Sequence, residues 1–359
     1  MENKSFSFED LDIWKEGMRL CSPLRPSPPT SLRDCNGRDA VVTLRPFALL
    51  ISLIFITVFC TGSRAPVVVQ DEKPVIASFN TSPETPANIR FCGKEVDLTR
   101  YQMREGLDRE LTSFSYLHST TMLLIKRANR IFPIIEPVLK ANGIPDDFKY
   151  LAVIESNLDP KAVSPARAVG LWQFMEPTAK NYGLRVTATV DERRHLVKST
   201  EAACKYLKEA YNKFGDWVTV AISYNAGMGR VSEQIGLQHE SDALNILFVE
   251  ETTRYPYRIF AAKLIFENPQ KYGFTLTAEN LYSPIDGTEV EVDRDITDLA
   301  AFARENGITY YDLKFFNPWL KDTKLLTGGV KYKIMIPNKN KLYYSSPNSY
   351  VHDRRWVVE

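Results

Sequence analysis

The run from Pro145 to Asn157 (PDDFKYLAVIESN) puts a carboxylate where chemistry can use it. Pro145 suits a first helical turn, and Asp146 and Asp147 suit its positive end, so a helix is expected to begin here. Phe148, Leu151 and Ala152 then fall at i, i+3 and i+4 of one apolar face, and Glu155 falls at i+7 of the same face. A carboxylate aimed at the core side loses water, which disfavours its charged form and raises its pKa. A Glu that holds its proton near neutral pH can protonate a glycosidic oxygen as a general acid. The alternative is a Glu neutralised by a buried Arg or by hydrogen bonds, and helix position alone leaves both readings open.

The residues that follow narrow the choice. Glu155 and Ser156 form a Glu-Ser pair, and Ser164 stands nine residues after Glu155. Gly170-Leu171-Trp172-Gln173-Phe174-Met175 then leads into Pro177-Thr178-Ala179, and Tyr224-Asn225-Ala226-Gly227-Met228-Gly229-Arg230 stands further on. In order and spacing these blocks resemble the catalytic domain of the soluble-lytic-transglycosylase family. Asp191-Glu192-Arg193, Ser199 to Leu207 (STEAACKYL) and Glu251-Thr252-Thr253-Arg254-Tyr255 extend the resemblance. It covers the chain from Phe91 onward and nothing before it.

The resemblance implies a lysozyme-like, all-α catalytic domain that cuts the β-1,4 bond between N-acetylmuramic acid and N-acetylglucosamine in peptidoglycan glycan strands. It implies that the muramyl 6-hydroxyl, rather than water, is the acceptor, leaving a 1,6-anhydro sugar. The residues agree with that scheme, since the blocks present one core-facing Glu and no obvious second carboxylate, whereas an ordinary glycosidase uses two. Glu155 would then act first as acid and next as base. By resemblance, Ser164, Gln173, Met175, Tyr224 and Asn225 stand near the sugar. The bland alternatives are helix caps or loop hydrogen bonds for the polar three, and core packing for Met175 and Tyr224. Ser156, Gly170, Glu251 and Tyr255 are expected to support the site. Gly170 reads as a tight backbone turn; Glu251, four residues before Tyr255, either positions the centre or pairs with Arg254 or Arg258. Trp172 and Cys204 read as packing, and Arg193-Arg194 as a solvated or salt-bridged face.

These residues need elements to hold them. Residues 91–275 read as helical, with stop signals at Gly143, Gly183 and Gly215. Residues 276–288 read as a linker. Residues 289–337 read as a small βααβ unit: Val290 and Val292 alternate like a strand, Thr309 with Asp312 resembles a capping box, and Tyr332, Ile334 and Ile336 alternate again. This unit resembles a LysM module, although Arg294-Asp295-Ile296 replaces the usual Gly-Asp-Thr opening. Residues 338–359 are left as a C-terminal tail. The expected fold class is mainly α.

Ahead of the catalytic stretch, residues 1–45 are polar, with Pro23, Pro26, Pro28 and Pro29. They are either a real extension or the product of a start assigned too early. Residues 46–63 form a charge-free run of 18 residues between Arg45 and Arg64. The run reads as a signal core or a slightly short membrane span, since about 20 apolar residues cross the hydrocarbon; a buried soluble helix is the alternative. Cys60 invites a lipoprotein reading that bulky Phe59 before it opposes. Residues 64–90, with Pro66, Pro74, Pro83 and Pro86, read as an extended linker.

Composition sets the outer limits. The chain has 359 residues, and 45 Lys plus Arg against 44 Asp plus Glu leave a charge of +1, which argues against an electrostatic nucleic-acid binder. Cys21, Cys35, Cys60, Cys92 and Cys204 are too scattered for a disulfide scaffold, and His118, His195, His239 and His352 are equally dispersed, so no metal site is expected. The chemistry read here needs no cofactor. Two other readings stand beside the transglycosylase: a muramidase of the same fold that admits water, and a non-catalytic envelope protein that binds peptidoglycan. The expected location is the periplasmic side of a bacterial envelope.

Overall fold

The computed structural model describes residues 81–344 and 350–358; the polar extension, the apolar run and residues 64–80 of the Pro-rich linker lie outside them. The first described element is a hairpin, β1 (Asn88–Phe91) and β2 (Lys94–Asp97), paired antiparallel with Phe91 opposite Lys94. Cys92 and Gly93 turn it with φ of 51° and 83°, the paired positive values that a tight two-residue hairpin turn requires. Among the described residues the compact fold therefore reaches back before Phe91, with strand rather than helix. Phe91 explains why the hairpin stays: it is buried, with its ring 5.9 Å from Phe148 and 5.3 Å from Phe260.

The rest of the larger unit is helical, as the sequence leads one to expect: α1 (Tyr101–Tyr116), α2 (His118–Ala141), α3 (Lys149–Ser156), α4 (Glu176–Asn181), α5 (Leu196–Phe214), α6 (Trp217–Ala226), α7 (Met228–Gln238) and α8 (Glu250–Glu267). Gly143, Gly183 and Gly215 follow α2, α4 and α5 with φ of 67°, 90° and 69°, so each stops a helix by adopting the left-handed conformation. Pro145 sits just outside the first turn with extended ψ of 140°, and Asp146–Phe148 form a 3-10 turn before α3 begins. Helix α8 is the axis of this unit. Tyr255 to Lys263 are buried without interruption along it, which leaves no solvent face, and α1, α3 and α6 pack around it.

The βααβ unit is present as β3 (Gly287–Val292), α9 (Leu299–Glu305), α10 (Tyr310–Phe316) and β4 (Tyr332–Pro337), with β3 and β4 antiparallel from Gly287 opposite Pro337 to Val292 opposite Tyr332. Thr309 and Asp312 form the capping box: the Asp312 amide donates to Thr309 Oγ1 at 3.1 Å and the Thr309 amide to Asp312 Oδ2 at 3.1 Å. Leu299, Ala303, Leu313, Leu325 and Ile334 fill its core. Asp295, the residue of the opening that the usual Gly-Asp-Thr also has, accepts at Oδ1 from the Thr327 amide at 2.7 Å and from its hydroxyl at 3.0 Å.

The segments on either side of this unit both pack on the helical core. Asn129 on α2 is fully buried, and its amide nitrogen donates to the Tyr282 carbonyl at 3.3 Å and the Tyr350 carbonyl at 3.1 Å, while its oxygen accepts from the His352 amide at 2.8 Å. One side chain thus holds the segment leaving the core and the segment returning to it. Trp356 then closes the core: it is 2% exposed, donates to the Phe266 carbonyl at 2.9 Å, and places its ring 5.9 Å from Phe132. The segment read as a tail is therefore the last layer of the catalytic unit's core, and Leu276 and Leu281 of the expected linker are buried in that core too. Trp356→Ala should lower the stability of the whole chain by about 3–5 kcal/mol, the usual cost of emptying a buried aromatic site, measured as a shift in the urea midpoint. A variant as stable as the parent would show that the terminal segment is not part of the cooperative core.

Candidate active site

Helix α3 delivers Glu155. Phe148, Leu151 and Ala152 on its face are fully buried, while Glu155 at the end of that stripe is half-buried. The side chain is enclosed by protein but not sealed from solvent. Burial is the largest influence on its carboxyl and pushes its pKa from 4.5 up to about 7. The Tyr255 hydroxyl donates to Glu155 Oε1 and pulls the value down; the nearby charge of Glu251 pushes it up, and that of Arg258 pulls it down. Tyr255 is 3% exposed, and burial with the neighbouring Glu155 holds its own pKa well above the ordinary tyrosine value, so it remains a donor.

The cationic influence on Glu155 is moderated from α1. Glu110 is 2% exposed and receives Arg254 Nε at 2.7 Å, with Arg258 Nε at 3.7 Å. Glu110 therefore takes up charge from both arginines of α8, and burial remains the dominant influence on Glu155. Arg254 meets Glu110, while the charge of Glu251 also acts on Arg258. Glu251 accepts from the Asn225 amide nitrogen at 3.4 Å, and Asn225 Oδ1 accepts from the Thr252 hydroxyl at 2.8 Å. Asn225 thus ties the end of α6 to the start of α8.

Tyr224, the residue before it, ties α6 to the loop ahead of α4. Its hydroxyl donates to the Trp172 carbonyl at 2.8 Å, and its ring lies 5.1 Å from Tyr206 and 6.2 Å from Phe174. Burial and the Glu155 charge raise its pKa well above the ordinary value. The structure brings Glu155, Tyr255, Tyr224 and Glu251 into one electrostatic group.

Ser164 and Gln173 make their hydrogen bonds within their own loops. Ser164 Oγ accepts from the Ala168 amide at 3.0 Å, and Gln173 Nε2 donates to the Gly170 carbonyl at 2.9 Å from a backbone with φ of 47°. Such a left-handed non-glycine residue is strained and persists where its surroundings determine it. Met175 is 42% exposed beside it, a large apolar side chain offered to solvent. Ser156 turns back to donate to the Ala152 carbonyl at 3.1 Å, an ordinary helix contact. Gly170, at φ 87°, lies so close to Arg193 that a Cβ would sit 1.9 Å from the Arg193 carbonyl oxygen. Trp172 and Cys204 are fully buried, with Trp172 Nε1 donating to Thr200 Oγ1 at 2.9 Å.

Of the two readings for Arg193, a solvated or a salt-bridged face, the structure shows the salt bridge, and it is buried. Arg193 is 6% exposed and fully engaged: Nε and an Nη donate to Asp191 at 2.9 and 2.8 Å, and the other Nη to the Phe174 and Arg167 carbonyls at 3.2 and 3.3 Å. Nothing in the local spacing of Asp191 and Arg193 signals burial, because the groups that bury them come from distant segments. The Glu110 partnership was equally invisible, since it joins helices 144 positions apart. Among the described residues no group of three or more His, Cys, Asp or Glu could hold a metal ion.

Comparison with known proteins places this arrangement in a class. Residues 132–247 match the Transglycosylase SLT domain, and residues 288–340 match the soluble lytic transglycosylase C-terminal LysM-like domain. The chain therefore carries an SLT transglycosylase domain followed by a LysM-like domain. It is similar to the membrane-bound lytic murein transglycosylase D of Escherichia coli, 31% identical over 258 residues, which cover 70% of this chain and 55% of that protein. It is also similar to the membrane-bound lytic murein transglycosylase F of Aeromonas salmonicida, 26% identical over 190 residues covering 48% of this chain and 37% of the other. The chain spans about half the length of the first of these relatives. Among solved structures, the 70 kDa soluble lytic transglycosylase of Escherichia coli aligns at 20% identity and a TM-score of 0.34, over 46% of this chain and 30% of that one.

Two outcomes follow from the carboxyl at the centre. The folded pKa of Glu155 is raised, so between pH 4.5 and about 7 the unfolded chain ionises this group while the folded chain keeps it protonated, and its contribution to stability is lost as pH rises. Glu155→Gln does not titrate. Urea titrations across this range should show the variant gaining on the wild type as pH rises, and a constant gap would contradict the raised pKa. Tyr255→Phe removes a bond to the charged form, so any activity limb governed by Glu155 should move to higher pH while the maximal rate falls. A limb displaced downward would mean that the bond does not act on Glu155.

Proposed function

We propose that the chain is a peptidoglycan lytic transglycosylase acting on the β-1,4 bond between N-acetylmuramic acid and N-acetylglucosamine, with Glu155 as its single catalytic carboxyl. The observation that carries this reading is a half-buried Glu held near pH 7 at the place where the Glu-Ser pair of the SLT domain falls. A carboxyl with this pKa is populated in both forms at neutral pH, so one group can serve as acid and then as base. The Tyr255 bond at Oε1 leaves Oε2 to carry the transferable proton.

In the first step Glu155 gives that proton to the glycosidic oxygen as the bond to the muramyl C1 breaks, and N-acetylglucosamine leaves as the alcohol. The muramyl acetamido oxygen supports the electron-poor C1, replacing the second carboxylate of an ordinary glycosidase. In the second step the carboxylate takes the proton of the muramyl 6-hydroxyl, whose oxygen closes on C1 to give the 1,6-anhydro sugar. Ser164, Gln173 and Asn225 would orient the sugar's hydroxyl and N-acetyl groups, and Met175 and Tyr224 would supply apolar contact. Ser156, Gly170, Glu251 and Tyr255 support this set; of these Tyr255 touches the catalytic carboxyl directly.

The names of the relatives favour a bacterial envelope location on the periplasmic side, with residues 46–63 as export signal or anchor. Those residues lie outside the described part of the chain, where no helix is long and apolar enough to cross a membrane.

The product decides between this reaction and hydrolysis, because the anhydro sugar is lighter than the hydrated end by one water. Mass spectrometry of digested peptidoglycan should show anhydromuramyl ends. Glu155→Gln should reduce their formation by at least roughly a thousandfold, within the scale of losing an essential acid-base group. Hydrated ends alone would make the protein a muramidase, and undiminished cleavage by the variant would remove Glu155 from the mechanism.

A further inference from the structure

The LysM-like unit does not stand apart from the catalytic unit. The Asp191 amide donates to the Trp319 carbonyl at 2.9 Å, and the Lys321 amide donates to the Thr189 carbonyl at 2.8 Å, which makes a short antiparallel bridge between Val190 and Leu320. The Leu326 amide adds a bond to Thr189 Oγ1 at 3.2 Å. Val190 belongs to the catalytic stretch by sequence, yet it is fully buried within the apolar core of the LysM-like unit. His195 lies 5.8 Å from the Trp319 ring, and an Arg185 Nη donates to the Tyr332 hydroxyl at 3.2 Å.

The far side of the same segment faces the catalytic loop. Asp191 grips Arg193 through two bonds, and Arg193 holds the Phe174 and Arg167 carbonyls, while its own carbonyl leaves no room for a side chain at Gly170. The loop so enclosed, residues 167–175, carries Gln173 and Met175. The alternating pattern is continuous: bridge residues 189–191, then Arg193, then the loop.

We propose that the LysM-like unit is a fixed brace of the substrate cleft, and that Arg193 is the positioning residue that carries its hold from the Thr189–Asp191 bridge to the 167–175 loop. The anchoring of Tyr282 and Tyr350 on Asn129 suits a brace, since the unit is tied at both of its ends to the core it supports. A separately tethered wall-binding module would have no use for a side chain from the catalytic stretch in its core. The significance of the loop for sugar binding rests on the reading of the function above; the mechanical coupling does not.

Hydrogen exchange followed by mass spectrometry on the full chain tests the coupling without substrate. Leu320→Ala weakens the bridge from the side of the LysM-like unit, and Arg193→Lys keeps the charge but removes the planar fork. In both variants exchange across 167–175 should accelerate by roughly tenfold or more, while 149–156 and 250–267 keep wild-type rates. Thr189→Val replaces the hydroxyl that receives the Leu326 amide by a methyl group and keeps the backbone bridge, and it supplies the same comparison if Leu320→Ala does not fold. Unchanged exchange at 167–175, or equal acceleration of all three segments, overturns the proposal; the second result would mean that the unit adds only global stability. On glycan strands KM should rise by roughly tenfold with kcat within about threefold, since Tyr255 holds Glu155 independently of the loop. An unchanged KM also overturns the positioning role. If wild type cleaves no glycan, the functional reading fails while the exchange comparison still decides the brace.

Discussion

Partial burial of one carboxyl organises the larger unit. Glu155 stands at the end of a short helix on the same face as the buried apolar Phe148, Leu151 and Ala152, and it meets α8, which is buried without interruption from Tyr255 to Lys263. A charge in that setting is disfavoured, so the group keeps its proton to about pH 7. The surrounding polar residues keep the setting from tipping either way. Tyr255 offers one hydrogen bond to the charged form, and Glu110 takes up the α8 arginines so that their charge does not fully stabilise the anion. A stronger cation would make Glu155 an ordinary ion-paired glutamate, and a drier pocket would hold its proton too firmly for it to act as a base.

Around this centre the chain is closed by long-range contacts. The hairpin ahead of α1 packs Phe91 between Phe148 and Phe260, and the terminal segment packs Trp356 between Phe132 and Phe266. The two ends of the described chain thus contribute to one core. The LysM-like unit leaves and re-enters this core at Asn129 and adds a second contact at the Val190–Leu320 bridge. A unit held at both places is constrained in orientation in a way that a flexible linker would not allow.

Much of this could be read along the chain because it depends on local periodicity. The apolar stripe ending at Glu155, the glycines that stop α2, α4 and α5, and the Thr309–Asp312 capping box are properties of residues a few positions apart. The strand character of Asn88–Phe91 was hidden because a four-residue hairpin arm is too short for a periodic signal, and its turn residues, Cys92 and Gly93, are not the commonest pair for such a turn. The segment after Pro337 gave no helix or strand pattern to read, since its described residues hold two 3-10 turns, Lys339–Lys341 and Arg354–Trp356, and bury one residue, Trp356.

Composition and spacing by themselves determined the helical class, the βααβ unit and the position of a core-facing acid, because each follows from hydrophobic pattern and turn chemistry within a few residues. Tertiary structure decided the partners. That Tyr255 binds Glu155, that Glu110 rather than Glu251 meets Arg254, that Arg193 reaches the Phe174 carbonyl, and that Val190 completes the core of another unit are pairings between distant parts of the sequence, 19 positions apart for Arg193 and Phe174 and 144 for Glu110 and Arg254. Such pairings depend on how helices and loops converge in space, and one-dimensional spacing carries no record of that convergence.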